Sequence, residues 1–184
     1  MSASGVRGLA DWLAFIGRQH PDAIALGLDR VRAVMARMGI AITCPVFTVA
    51  GTNGKGSVCA TLESVLRASG RRAGLYTSPH LLRYNERVRF GGAEATDQQL
   101  CESFAAVESA REGTPLTYFE FGTLGAFWLF AREQLDALVL EVGLGGRLDA
   151  VNALDADCAV LTSVALDHVE LLGATREAIG REKA

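Results

Sequence analysis

Seven consecutive residues, Gly51-Thr52-Asn53-Gly54-Lys55-Gly56-Ser57, gather three glycines, a lysine and a serine. Glycines let backbone N–H groups close on a phosphate, a lysine ammonium reaches its outer oxygens, and a serine hydroxyl binds phosphate or Mg²⁺. The pattern departs from the common GxxxxGK[ST] form, because Val49 occupies the first glycine position and Gly56 separates Lys55 from Ser57. At average residue usage, GTxGKG[ST] arises by chance on the order of 10⁻⁷ per position, so a plain glycine-rich turn explains it poorly. Further on, Glu141 ends the apolar run Leu138-Val139-Leu140. Open α/β sheets bind ligands at that end of a strand, and burying a carboxylate there is costly unless a cation compensates it. An ordinary surface charge at a strand end is the alternative. Taken alone, His168 reads as a structural histidine, because Mg²⁺ prefers oxygen, and Ser78 before Pro79 reads as a turn residue. Lys183 reads as a cation on a helix surface, and Arg83, Arg87 and Arg89 as a solvated charged loop with no catalytic role.

These groups need a scaffold, and the apolar spacing supplies one. Pro45 precedes the run Val46-Phe47-Thr48-Val49, then the glycine loop, then the helical spacing of Val58, Leu62, Val65 and Leu66. That order is strand, loop, helix. Residues 72–77 predict a second strand, 96–111 a helix opened by the capping box Thr96-x-x-Gln99, and 119–132 a largely buried helix. The runs 136–142 and 157–164 lack period-two alternation and predict strands covered on both faces by helices. Leu9, Trp12, Leu13 and Ile16, then Val31, Val34, Met35 and Met38, predict two amphipathic helices ahead of the sheet. The expected fold is α/β, a mostly parallel sheet with helices on both faces, in one domain over 1–184. Gly143, Gly145 and Gly146 suggest a close backbone approach, but no helix opens after them as a dinucleotide fingerprint requires.

Composition narrows the function. With 49% apolar and 21% charged residues, the 184-residue chain is globular rather than disordered. Eighteen basic against 21 acidic residues, a formal charge of −3, provide no basic field for nucleic acid. Cys44, Cys59, Cys101 and Cys158 lack metal-knuckle spacing, which points to a reducing compartment. The start lacks the pattern of a signal peptide, and the longest apolar stretch, 124–131, is too short for a bilayer. A soluble cytoplasmic protein without nucleic-acid or membrane partners is expected. The pattern over 175–184 reads as a capped helix interrupted in mid-run, an expectation that the natural chain continues.

Seven segments occur in order: FTVAGTNGKGS, YTSPHL, YNERVR, LTYFEFGTL, LEVGLGGRLDA, TSVALDH and IGREKA. In them the chain resembles the ATP-dependent Mur ligase superfamily and, within it, the folylpolyglutamate synthase/dihydrofolate synthase branch. The resemblance implies that Gly51, Thr52, Asn53, Gly54, Lys55, Gly56 and Ser57 bind ATP, with Lys55 catalytic. It further implies that Ser78, Glu141 and His168 meet at one Mg²⁺, and that Lys183, carbamylated by CO₂, helps hold a second. It places Ala23, Ile24, Ala25, Leu26, Thr117, Tyr118, Phe119, Leu148, Asp149 and Ala150 beside a pterin, although Tyr118 and Phe119 on their own read equally as core. The implied reaction adds L-glutamate to dihydropteroate or to the γ-carboxylate of folates through an acyl phosphate. The implied enzyme is a monomer at full length, with a C-terminal glutamate-ligase domain absent from these residues, which alone would be inactive. A Mur-type ligase of cell-wall precursors and a non-enzymatic P-loop switch are the alternatives, the latter without any guanine-reading Asn-Lys-x-Asp segment.

Overall fold

The computed structural model describes residues 7–22 and 24–184. Among them the strands are β1 (Val46–Ala50), β2 (Ala73–Tyr76), β3 (Val88–Phe90), β4 (Ala93–Glu94), β5 (Ala137–Glu141) and β6 (Cys158–Leu161). The helices are α1 (Leu9–Ile16), α2 (Asp29–Arg37), α3 (Lys55–Ala68), α4 (Asp97–Arg111), α5 (Tyr118–Phe130), α6 (Val169–Leu172) and α7 (Arg176–Lys183). One sheet runs in the order β4-β3-β2-β5-β1-β6. β1, β2, β5 and β6 are parallel, and β3 and β4 add an antiparallel edge. Parallel neighbours put the C-terminal ends of β1, β2, β5 and β6, and the loops that follow them, on one rim.

Alternate residues of the inner strands enter different cores. Val46, Ala50, Tyr76, Leu138 and Leu140 join Phe121, Leu124 and Phe127 of α5 on one face. Val49, Leu75 and Val139 join Cys59 of α3 on the other. This two-sided burial is why 136–142 shows no alternation, and all five residues of β5 are buried. Two capping boxes fix where the long helices on the first face begin. The Thr96 hydroxyl accepts the Gln99 amide ahead of α4, and the Thr117 hydroxyl accepts the Glu120 amide ahead of α5.

β6 departs from expectation. Its apolar run stops at Leu161 and occupies the sheet edge, with Cys158, Ala159 and Leu161 exposed among the described residues. An edge strand and an inner strand share the same composition, and only topology separates them. The β3–β4 hairpin was also not anticipated, since its strands hold three and two residues. Its turn is Gly91-Gly92, both at positive φ, which suits a tight two-residue hairpin. Leu140→Ala should therefore cost about 2–5 kcal/mol by urea denaturation of this chain, and Leu161→Ala under about 1 kcal/mol. Equal losses at the two positions would contradict the edge assignment.

Candidate active site

The glycine loop joins β1 to α3 as the sequence implies, and the loop after β6 braces it. The Thr52 amide donates to the Ser163 carbonyl at 2.8 Å, and the Asn53 amide to the Ser163 hydroxyl at 3.2 Å. The Thr162 hydroxyl donates to the Asn53 carbonyl at 2.7 Å, and the Ala165 amide to the Thr52 hydroxyl at 3.1 Å. A Cβ on Gly51 would lie 1.9 Å from the Thr162 hydroxyl, so only glycine fits there. Gly54 at φ +85 turns the chain into α3. The amides of Thr52 and Asn53 are thus spent inside the protein. The donors left for an anion are the first-turn amides of α3, from Lys55, Gly56 and Ser57, which no helix can satisfy internally. The Lys55 ammonium folds back onto the loop and donates to the Gly51 carbonyl at 3.0 Å.

Glu141 ends β5 beside this turn. A Cβ on Gly56 would stand 3.8 Å from both of its carboxylate oxygens, so the helix start and the carboxylate are direct neighbours. Glu141 is 5% exposed, and its Oε2 accepts the Ser78 amide at 3.1 Å. Burial raises its pKa, while that hydrogen bond and the Lys55 charge oppose the rise. Ser78 and Glu141 are therefore adjacent, and their oxygens are of the type Mg²⁺ accepts. His168 is exposed at φ +46 on the loop after β6, with Asp167 and Glu170 each 3.8 Å from its ring. That loop is the one hydrogen-bonded to Thr52, but no group of three or more His, Cys, Asp or Glu side chains converges among the described residues.

Lys183 is buried rather than on the helix surface. Its ammonium donates to the Gly145 carbonyl at 3.1 Å and the Gly51 carbonyl at 3.4 Å, which ties the end of α7 to the glycine loop. Burial and the Lys55 charge lower its pKa. The close backbone approach expected of the 143–146 glycines is present, because a Cβ on Gly146 would lie 2.0 Å from the Glu182 carbonyl and one on Gly143 would lie 2.6 Å from the Phe119 ring.

A narrow cleft of about 60 Å³ gathers Ile24, Ala25, Leu26, Thr117, Phe119, Glu120, Leu148, Asp149 and Ala150. Three distant stretches meet there as the resemblance implies, apart from two residues. Tyr118 packs instead on Tyr84, with ring centroids 6.0 Å apart, and Ala23 lies outside the described residues. Asp149 is 3% exposed, and its carboxylate accepts the Leu144 amide at 2.8 Å and the Val151 amide at 3.0 Å. Burial nevertheless pushes its pKa up to about 7, against those hydrogen bonds.

The solvated-loop reading of the arginines holds only for Arg83, which is exposed and pairs with Glu94. Arg89 pairs with buried Glu63 at 3.2 Å. Arg87 is 9% exposed, its Nε donates to His80 Nδ1 at 2.8 Å, and its guanidinium faces the Tyr84 and Tyr118 rings at 5.3 and 5.7 Å. No carboxylate pairs with it among the described residues, and the two aromatic ring faces supply the electron-rich partner instead. Nothing in the spelling of residues 83–89, RYNERVR, separates buried Arg87 from exposed Arg83.

The Asp149 carboxyl generates a pH test. Its folded pKa exceeds the unfolded value of 3.8, so the folded state holds the extra proton between about pH 4 and 7, and stability falls as pH rises through that window. Asp149→Asn removes the titration and one good acceptor, and should be less stable throughout. The Tm gap between wild type and variant should shrink from pH 4 to pH 7. A gap that is constant or grows would contradict the burial of this carboxyl.

Comparison with known proteins follows the same lines. Residues 49–184 match the Mur ligase middle domain. The chain is 59% identical over 177 residues to the dihydrofolate synthase/folylpolyglutamate synthase of Escherichia coli (strain K12), covering 96% of this chain and 42% of that protein. It superposes on E. coli FolC in complex with DHPP and ADP with a TM-score of 0.95 and 56% identity, over 99% of this chain and 44% of the other. A bifunctional folylpolyglutamate synthase/dihydrofolate synthase with Mn, AMPPNP and L-glutamate bound gives a TM-score of 0.90 and 51% identity, over 100% and 45%. The chain thus spans about two-fifths of the length of the relatives it matches. It belongs to the Mur ligase family, whose middle-domain model matches residues 49–184.

Proposed function

We propose that this chain is the nucleotide- and pteridine-binding part of an ATP-dependent ligase that joins L-glutamate to dihydropteroate, to the γ-carboxylate of folates, or to both. The observation that carries the reading is the neighbourhood of the free first-turn amides of α3 and the buried Glu141 carboxylate. The first suits a polyphosphate, and the second suits the cation that accompanies one. DHPP, ADP, AMPPNP, Mn and L-glutamate in structures more than 50% identical support the same reading. Ligation is proposed to require further chain of the kind that makes up the rest of those longer relatives.

In this reading the substrate carboxylate attacks the γ-phosphorus of ATP, ADP leaves, and the glutamate amine displaces phosphate from the acyl phosphate to form the amide. Lys55 turns from the Gly51 carbonyl to the transferring phosphoryl group and offsets its charge. The α3 amides hold the phosphates in line, and Ser78 and Glu141 would hold Mg²⁺, with His168 the candidate third ligand. When bound, Mg²⁺ would supply charge neutralisation for the phosphates and for the buried carboxylate. Lys183, whose lowered pKa favours the neutral amine that reacts with CO₂, is the proposed carbamate. Phe119 and Asp149 offer a ring face and a polar edge to the pteridine.

The test uses the full-length protein with dihydropteroate labelled with ¹⁸O in its carboxylate, plus ATP and glutamate. One labelled oxygen should appear in each inorganic phosphate released, and Lys55→Ala should lower turnover at least about a hundredfold while shifting Tm by no more than a few degrees. Unlabelled phosphate during normal ligation would exclude the acyl phosphate, and near-normal turnover of the variant would exclude the role of Lys55.

A further inference from the structure

We infer that Arg30 is a positioning residue for the ring-binding cleft, holding the wall formed by residues 24–26 against the start of α5. The inference rests on the cleft being the pteridine site, as proposed above. Arg30 lies at the start of α2, outside the cleft lining. Its Nη2 donates to the Ala25 carbonyl at 2.8 Å and to Glu120 Oε1 at 2.7 Å, and its Nε to Glu120 Oε2 at 3.4 Å. Glu120 Oε2 also accepts the Thr117 amide at 2.8 Å. One guanidinium therefore joins the main chain of the first wall to the capping box that carries the second. The far end of the first wall is tied as well, because the Gly27 amide donates to the Leu148 carbonyl of the third wall at 3.2 Å. Gly27 sits at φ +139, a conformation open to glycine.

Planar donors are needed for this geometry. A guanidinium satisfies a carboxylate and a carbonyl in fixed directions at once, whereas an ammonium on a flexible stem holds one of them well. The elements that Arg30 joins are anchored without it. Val31 and Val34 of α2 are fully buried, and the Thr117–Glu120 capping box closes on its own. Losing the guanidinium frees the Ala25 carbonyl and leaves the Glu120 carboxylate, 3% exposed as a residue, without its cation. The first effect bears on ligand affinity and the second on stability, so they can be separated.

The experiment measures the dissociation constant of dihydropteroate, the KM for ATP and Tm in the full-length protein for Arg30→Ala, Arg30→Lys, and Arg30→Ala combined with Glu120→Gln. Glutamine keeps the acceptor for the Thr117 amide and removes the stranded charge. Arg30→Ala should weaken dihydropteroate roughly tenfold or more with the KM for ATP unchanged, and Arg30→Lys should recover part of the loss. The double variant should regain Tm yet still bind dihydropteroate weakly. Recovery of both by the double variant, or unchanged affinity in Arg30→Ala, would overturn the positioning role. Asp149→Ala separates the two levels of the argument. If it weakens dihydropteroate while Arg30→Ala does not, only Arg30 is misassigned, and if it too has no effect, the cleft assignment fails with it.

Discussion

The structure turns on a carboxylate held out of water at the end of its central strand. Glu141 is 5% exposed, accepts one amide from Ser78, and lies in the field of Lys55. A buried carboxylate with so little direct compensation is stable only where positive charge gathers around it. Strand order meets that need. β5 lies between β2 and β1, so the residues that follow those two strands, Ser78 on one side and the glycine loop on the other, flank the carboxylate. The first turn of α3 and the lysine that opens it then supply positive potential at the same point.

Close approaches of backbone keep these parts together, and glycine makes them possible. Gly51 admits the Thr162 hydroxyl, Gly56 leaves α3 against the carboxylate, Gly143 admits the Phe119 ring, and Gly146 admits the last turn of α7. The final contact brings Lys183 to the Gly51 and Gly145 carbonyls. The glycine loop and the narrow cleft are thereby joined through one short stretch, residues 141–150. Glu141 at its start faces the phosphate loop, and Asp149 near its end faces the cleft.

Much of this was legible in the sequence, for a physical reason in each case. The phosphate loop is linear, so its residue types and its place between a strand and a helix are visible together. β5 was legible because burial on both faces removes alternation. β6 carries the same signal and is an edge strand, because the pattern encodes apolarity and not the order of strands. The cleft was not legible from residues alone. It joins stretches near positions 25, 118 and 149, and only the resemblance brought them together; the Tyr118 ring itself packs on Tyr84. The contacts of Arg30 and Arg87 were invisible, since each depends on partners supplied by the tertiary fold. The β3–β4 hairpin did leave a sign in Gly91-Gly92.

The central claim, that Glu141 and the start of α3 form one site for a nucleotide with its divalent cation, is tested most directly by calorimetric titration of AMPPNP into the full-length protein. The titration is made with and without Mg²⁺, in wild type and in Glu141→Gln. In wild type, Mg²⁺ should tighten AMPPNP roughly tenfold or more. In the variant that enhancement should vanish, while cation-free AMPPNP should bind at least as well as in wild type because the opposing carboxylate is gone. The same Mg²⁺ enhancement in both proteins would show that Glu141 does not hold the cation and would contradict the account.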